Sequence, residues 1–544
     1  MKKALLALAV SIALAGGIQA GNDHDDDHHS DQFEFKPGTL VLSRSIYVGT
    51  PSLLVPGVTV LPPGCVAVTA NVPLIAGGTT PVAVTCTTPI VDATFPTVFN
   101  NDTADSHFGI TSPIFLDNLT TDGHLLDTLP IPTDQIVSFS SKSELAVNLS
   151  VDGKSITFMG YRGGPGFVTA PNVFDVSNAN TPGVVDPTNA AVGQYYRSVA
   201  EVDAHGHLQT TEGNAYSGDN GRGAIKGNWL YYMVGNDNSG KLSKKQTTTT
   251  VIGEELVNST GAELLVPGQT PPVPPNINKI GDFEINQVIE PSTGLPYALD
   301  KAGKDDNFRG LTIFNNTLYV TKGSGGNGIN TVYQVGNAGV LPTGDTATLA
   351  ALPITILPGL PHTLASGVSS SGAPTPIAYP FGIWFVDANT LYVCDEGDGT
   401  MVTPPTGGVN VADATTLATA GVQKWRLVSG TWVLQYVLQN GLNIGVPYSV
   451  ANYPTALNPA TDGCRNMTGH VNRDGTVNIY AVTSTVSASG DQGADPNLLV
   501  KVTDLLSATT LPSLSHFVTV RSAKAGEVLR GVAFAPQDRD DDPK

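Results

Sequence analysis

The segment FRGLTIFNNTLYVTKGSGG, residues 308–326, decides the fold of this 544-residue chain. It opens with Arg309-Gly310, continues as an apolar strand, turns at Asn315-Asn316 and returns as a second strand that ends in glycines. Short apolar runs separated by Asn and Gly predict an antiparallel hairpin and not a helix. The phrase recurs with starts near residues 145, 222, 309, 381, 464 and 530. The chain is therefore an internal-repeat protein built from strands.

The spacing of the repeats predicts the architecture. Successive starts lie 66 to 87 residues apart, which leaves room for four short strands and a long loop in each repeat. Four-stranded sheets repeated around an axis form a β-propeller. We expect an all-β chain with one propeller of six blades over residues 36–536, or seven blades if a long interval hides a degenerate copy.

The two ends of the repeat region predict how the ring closes. The last copy, at the C-terminus, stops after one strand that begins near Leu529. Residues 38–47, 113–119 and 125–131 have the pattern of three further strands. Completing the last blade with these N-terminal strands would leave no open sheet edge in the ring.

Several of these phrases also resemble a known class of proteins. GTLVLSRS at residues 38–45, ELAVNLSVDGKSITFMGYRG at 144–163, residues 308–326 and LRGVAFAP at 529–536 resemble secreted bacterial β-propellers of the NHL and YncE-like type. The resemblance implies a ring with ligand access at one mouth of its channel. It transfers no catalytic residue, because such propellers host many functions.

The N-terminus predicts export from a bacterial cell. Lys2-Lys3, a short apolar run and Ile18-Gln19-Ala20 form a signal peptide over residues 1–20 that would be cleaved after Ala20. Residues 21–35 then form a His/Asp-rich tail, and residues 537–544 form an acidic one. No transmembrane segment is expected, and we expect the mature chain in the periplasm or outside the cell. With 28 Lys and Arg against 47 Asp and Glu, a net charge of −19 excludes nucleic acid as the main partner.

The four cysteines predict disulfides, since the chain is exported and has no C-x2-C spacing typical of zinc. Three pairings are possible. We favour Cys65 with Cys86, inside an insertion at about residues 49–112, and Cys394 with Cys464. The second pair is favoured because both residues fall at core positions that correspond in adjacent repeats.

Oxygen-bearing side chains cluster at one predicted mouth of the channel. Loops that enter inner strands and loops that leave second strands share this face, as does the acidic exit loop at residues 395–399. The candidate metal ligands are Asp219, Asp306, Asn307, Asn466 and Glu527. Carboxylate and amide oxygens suit Ca²⁺, although Asp and Asn also occur as plain turn formers.

Three arginines precede or begin inner strands at matching positions, namely Arg222, Arg309 and Arg530. They could form an anion-binding collar, but their repetition favours ion pairs between blades. Such pairs would involve turn carboxylates such as Asp219 or Asp306.

Three hypotheses of function follow from these observations. The first hypothesis is an exported propeller that acts as a binding or surface-associated scaffold, with calcium as a candidate stabilising ion. Its partner would be a protein, glycan or small molecule at one propeller face. The alternative is a metal-dependent hydrolase that acts on a lactone, ester or phosphoester at the channel mouth. A third hypothesis is metal handling by the His/Asp tail.

Overall fold

The computed structural model describes residues 33–46, 68–73, 78–84, 112–138, 145–162, 180–184, 194–217, 221–236, 261–270, 278–291, 293–298, 306–323, 328–365, 378–399, 401–402, 411–412, 418–453, 455–487 and 495–538. Six four- or five-stranded antiparallel sheets follow one another along the chain and form the blades of a β-propeller. The predicted six-bladed ring is confirmed.

We number the blades by the chain order of their inner strands and give the strands from the inside outward. Blade 1 contains Asn148–Leu149, Ser155–Arg162, Arg197–Asp203 and Leu208–Gly213, with Ile136–Val137 also paired to its second strand. Blade 2 contains Gly221–Gly227, Leu230–Gly235, Ala262–Leu265 and Asn278–Lys279, and blade 3 contains Leu311–Phe314, Thr317–Lys322, Thr331–Val335 and Ile354–Ile356.

Blades 4 and 5 have the longer strands. Blade 4 contains Pro380–Asp387, Thr390–Asp395, Gly421–Val428 and Thr431–Leu438. Blade 5 contains Ala460–Val471, Thr476–Val486, Leu498–Leu505 and Val518–Ser522. Outside the blades, the described elements are the hairpins Val68–Pro73 with Thr79–Val84 and Met401–Val402 with Val411–Ala412, the α-helix Thr346–Ala350, and the 3-10 turns Ile285–Gln287 and Thr455–Leu457.

Blade 6 closes the ring as predicted. Its inner strand is the C-terminal Glu527–Phe534, and its other strands are the N-terminal Leu40–Ile46, Ile114–Leu119 and Leu125–Pro130. Leu40 pairs with Phe534 in the register that joins the two ends of the chain. The last blade therefore cannot form until both ends are present.

The core lies between the blades. The second strands Leu230–Gly235 and Thr390–Asp395 are buried along their whole length, because a neighbouring blade covers each face. The outer strand Leu125–Pro130 is instead exposed or half-buried. One apolar cluster spans blades 2 and 3 and includes Tyr232 and Tyr333. Each seam thus contributes a separate piece of hydrophobic core.

The recurring glycine of the repeat allows inner strands to approach closely. A Cβ placed at Gly310 would lie 2.0 Å from the carbonyl oxygen of Phe381 in the next blade. At Gly531 it would lie 2.4 Å from the amide nitrogen of Val147. Real Cβ atoms do not tolerate such distances to backbone, so these sites need glycine.

One disulfide joins two blades. Cys394 and Cys464 are bonded, with Cα atoms 5.4 Å apart, and both side chains are fully buried. The predicted pairing is confirmed, but the argument for it was wrong. Cys394 lies on the second strand of blade 4 and Cys464 on the inner strand of blade 5, so their positions in the repeat do not correspond. Cys65 and Cys86 lie outside the described residues, as do residues 1–32.

Candidate functional site

One face of the ring gathers the loops that the sequence singled out, and we call it the entry face. In blade 4 the first residue of the inner strand, Pro380, pairs with Asp395 at the end of the second strand. In blade 5, Ala460 pairs with Val486 in the same way. Loops that lead into inner strands and loops that leave second strands therefore share this face, as predicted.

Two predicted metal ligands contact groups that belong to blade 6. Asn466 is buried, and its Oδ1 accepts a hydrogen bond of 2.6 Å from the backbone N–H of Val532. The carboxylate of Glu527 lies 3.2 Å from Nη1 of Arg44 and accepts a hydrogen bond of 3.1 Å from the backbone N–H of Lys524. Both residues therefore help to position the closing blade.

The other predicted ligands lie next to blade 3 or outside the described residues. Asp306 is fully buried just before the inner strand of blade 3, and Asn307 beside it is half-buried. Asp219 is not among the described residues. Within the described ranges, no group of three or more His, Cys, Asp and Glu side chains is arranged to hold a metal ion.

The repeated arginines are buried at equivalent places, three of them on inner strands and Arg309 just before one. Arg222, Arg309 and Arg530 have a fourth counterpart in Arg465 of blade 5. Nε of Arg465 lies 3.1 Å from Oε2 of Glu396 in blade 4, and Nε of Arg530 donates a 2.7 Å hydrogen bond to Ser45 Oγ. The sequence pattern did not include Arg465, because an asparagine follows it where the other three copies have glycine.

An acidic loop links blades 4 and 5 at the entry face. The second strand of blade 4 continues into Asp395-Glu396-Gly397-Asp398-Gly399, whose last N–H donates a 2.9 Å hydrogen bond to Oδ2 of Asp462 in blade 5. The hydroxyl of Ser484 donates to the carbonyl oxygen of Glu396 at 2.5 Å. Together with the adjacent disulfide, these bonds fix the loop rigidly against the next blade.

Burial perturbs the titration of this loop. Asp395 is fully buried, and desolvation raises its pKa to about 6, although hydrogen bonds from the N–H groups of Tyr379 and Gly397 oppose the rise. Burial, and then the charges of Asp398 and Asp395, raise the pKa of the Tyr379 hydroxyl to about 12. The entry face of blade 4 therefore holds a Tyr379 phenol that stays protonated and a buried Asp395 carboxyl that titrates close to neutral pH.

The seam between blades 5 and 6 holds a buried charge network. Asp117 is fully buried and receives Nε and Nη2 of Arg44 at 2.7 and 3.0 Å. Nη2 of Arg521 in blade 5 lies 2.8 Å from the same carboxylate. The amide of Asn497 adds two hydrogen bonds to the backbone of Leu529. Charge-assisted contacts therefore lock the blade that joins the two chain ends.

Comparisons with known proteins give no family. No family model matches the chain, and no curated protein matches it. A chain of the complex "S. cerevisiae dbp5 l327v bound to nup159, gle1 h337r, ip6 and adp" is 10% identical with a TM-score of 0.25, covering 71% of this chain and 88% of that one. A mutant of the Synechocystis apocarotenoid oxygenase is 9% identical with a TM-score of 0.22, and the match covers 79% of this chain and 60% of that one. The parainfluenza virus 5 hemagglutinin-neuraminidase ectodomain (10%, TM-score 0.25) is matched over 92% of its length and 93% of this chain.

In the part of the chain that the structure describes, no helix is both long and apolar enough to cross a bilayer.

Proposed function

We propose that this protein is an exported β-propeller that works as a binding scaffold, with its ligand at the entry face. One observation carries the proposal: charged side chains that could have formed a reactive site join one blade to the next. Arg465 pairs with Glu396 across blades 4 and 5, and Arg521 pairs with Asp117 across blades 5 and 6. A rigid ring of this kind leaves its loops available for recognition.

Export and class are parts of the same proposal. The leader-like residues 1–20 support export, and the buried Cys394–Cys464 bond is of a type that persists in oxidising compartments. The repeat phrases support a place among bacterial propellers of the NHL and YncE-like type. Expression with the leader in a bacterium should yield a mature chain that begins at Gly21, and intact mass would show cleavage at another site or none.

Calcium is a separate element of the proposal. Of the five predicted ligands, Asn466 and Glu527 contact groups of blade 6. The candidates that remain for a calcium site are Asp219, Asp306 and Asn307. One tightly held Ca²⁺ per mature chain, kept after residues 21–31 are removed, would support a site in the ring. Calcium lost together with those residues would instead place metal binding in the His/Asp tail.

The decisive experiment compares binding with turnover. The mature protein is melted in the presence of glycans and small organic ligands, and lactones, esters and phosphoesters are screened for hydrolysis before and after EDTA. Saturable rises in Tm without turnover support the scaffold. Turnover that EDTA abolishes and that Asp306→Asn removes, with the melting temperature unchanged, would overturn the scaffold in favour of the hydrolase.

A further inference from the structure

A cavity of about 510 Å³ opens at the entry face between blades 5 and 6. One wall is the loop that leads into blade 5, with Tyr448, Val450 and Asn452. The other wall is formed by Ser522, at the end of the outer strand of blade 5, and by Lys524 in the turn that leads into the inner strand of blade 6. Small-molecule sites in proteins have volumes of roughly 300–1,000 Å³, so this cavity is large enough for a ligand.

Hydrogen bonds preform both walls. The hydroxyl of Tyr448 donates to the carbonyl oxygen of Pro496 at 2.8 Å, and the N–H of Tyr453 closes a turn onto Val450 at 3.1 Å. On the other side, the N–H of Ala523 donates to the carbonyl oxygen of Asn497 at 2.9 Å. A ligand would therefore lose little affinity to ordering of the site.

The polar groups of the cavity favour a negative charge. Lys524 is exposed and makes no ion pair with any described carboxylate. The nearest acidic residue in sequence, Glu527, is already bound to Arg44 and to the backbone of Lys524. The side chains of Asn452 and Ser522 have no hydrogen-bond partner among the described residues, so an amide and a hydroxyl are free to donate.

The remaining lining is mostly apolar, apart from Ser449 and the hydroxyl of Tyr448, which is already bonded to the carbonyl oxygen of Pro496. Val450, Ala523 and Ala525 contribute aliphatic surface beside these donors. A ligand that fills the cavity therefore needs an anionic group at one end and a hydrophobic body at the other.

We propose that this cavity binds a small organic anion, a carboxylate, sulfonate or phosphate with an apolar body. The anionic group would contact Lys524, Asn452 and Ser522. This inference rests on the proposed binding function and names the ligand class and the place on the entry face.

The test uses 8-anilinonaphthalene-1-sulfonate, which carries a sulfonate on an aromatic body and fluoresces when bound. The full mature chain is titrated and compared with Lys524→Gln, which removes the charge, and with Ala451→Phe, which narrows the cavity at an exposed lining residue. Lys154→Gln is the matched control, because it changes charge equally in the exposed turn between the first two strands of blade 1, at the opposite face. Chemical denaturation checks that each variant is folded.

We expect one saturable site, at least fivefold weaker binding in Lys524→Gln, loss of that site in Ala451→Phe and a change below twofold in Lys154→Gln. Absence of saturable binding overturns the inference, as does equal binding in all four proteins. Either failure concerns this cavity alone. The binding-scaffold proposal is tested separately, by the panel of glycans and small organic ligands. If a ligand from that panel raises the Tm of Lys524→Gln as much as that of the wild type, it binds outside this cavity. Hydrolysis that Asp306→Asn abolishes would refute the scaffold proposal, whatever the result of the dye titration.

Discussion

Replacing Lys424 by methionine should destabilise the protein more than any surface substitution. Lys424 and Asp504 form an ion pair of 3.0 Å between blades 4 and 5, and neither side chain is exposed. The ammonium also donates to the hydroxyl of Tyr436 at 2.9 Å and to the carbonyl oxygen of Leu505 at 2.7 Å. The Asp504 carboxylate accepts further hydrogen bonds from the hydroxyls of Tyr392 and Tyr436 at 2.5 and 2.8 Å.

The expected magnitude follows from which charge is left behind. Removing one partner of a buried pair costs about 3–5 kcal/mol, because the other charge stays desolvated and uncompensated. We expect this loss for Lys424→Met and for Asp504→Leu alone. The double variant removes both charges and leaves two tyrosine hydroxyls short of an acceptor, so we expect a total loss of about 2–4 kcal/mol. The pair should therefore show a coupling of at least about 2 kcal/mol.

The assay is guanidinium unfolding followed by tryptophan fluorescence. Three of the four tryptophans, Trp384, Trp425 and Trp432, lie on blade 4, so the signal reports the blade that holds Lys424. Lys154→Gln, in an exposed turn, serves as the control for loss of a lysine charge. Additive effects of the two single variants, or single losses below about 1 kcal/mol, would refute the argument that this pair is buried and coupled.

Three further predictions concern the seams and the acidic loop. Gly531→Ala should cost about 2–3 kcal/mol because its Cβ meets backbone, whereas Gly223→Ala, whose Cβ would lie 3.0 Å from a leucine methyl group, should cost under about 1 kcal/mol; equal midpoints of unfolding would contradict this. Replacing both Cys394 and Cys464 by alanine opens a link across 70 residues and should cost about 4 kcal/mol on the chain-entropy estimate, and denaturation midpoints unchanged from the oxidised wild type would disprove it. The pKa of Asp395 is raised to about 6 by burial, so the folded state holds a proton that the unfolded state releases near pH 4; stability relative to Asp395→Asn should fall as pH rises from about 4 to about 6 and then level off, and a flat or rising difference in denaturation midpoint over that range would count against it.

Much of the fold was predictable because each repeat carries its own local signals. The turn residues Asn315 and Asn316 and the alternating pattern around them define a hairpin without help from the rest of the chain. The single C-terminal strand and the three unmatched N-terminal strands were enough to predict ring closure.

The candidate site was less predictable, since the partner of a charged side chain is chosen across a seam. Asn466 and Glu527 carry side-chain oxygens of the kind that bind metals. Their sequence neighbours do not reveal that the backbone of Val532 and the side chain of Arg44 contact those oxygens. Arg465 lacked the following glycine that marked the other copies. The Cys394–Cys464 pair was predicted from the hypothesis that the two residues occupy corresponding repeat positions. The pair is bonded, but the two positions do not correspond.

By itself, then, the sequence determined the strand content, the repeat and the closure of the ring, and it favoured six blades over seven, because hydrophobic alternation and turn chemistry act over a few residues. The tertiary structure alone decided which buried charges meet, that Asp395 is desolvated enough to titrate near pH 6, and that a cavity opens beside Lys524. These properties depend on the distance between atoms of different blades, and pairing energies and desolvation change steeply with that distance.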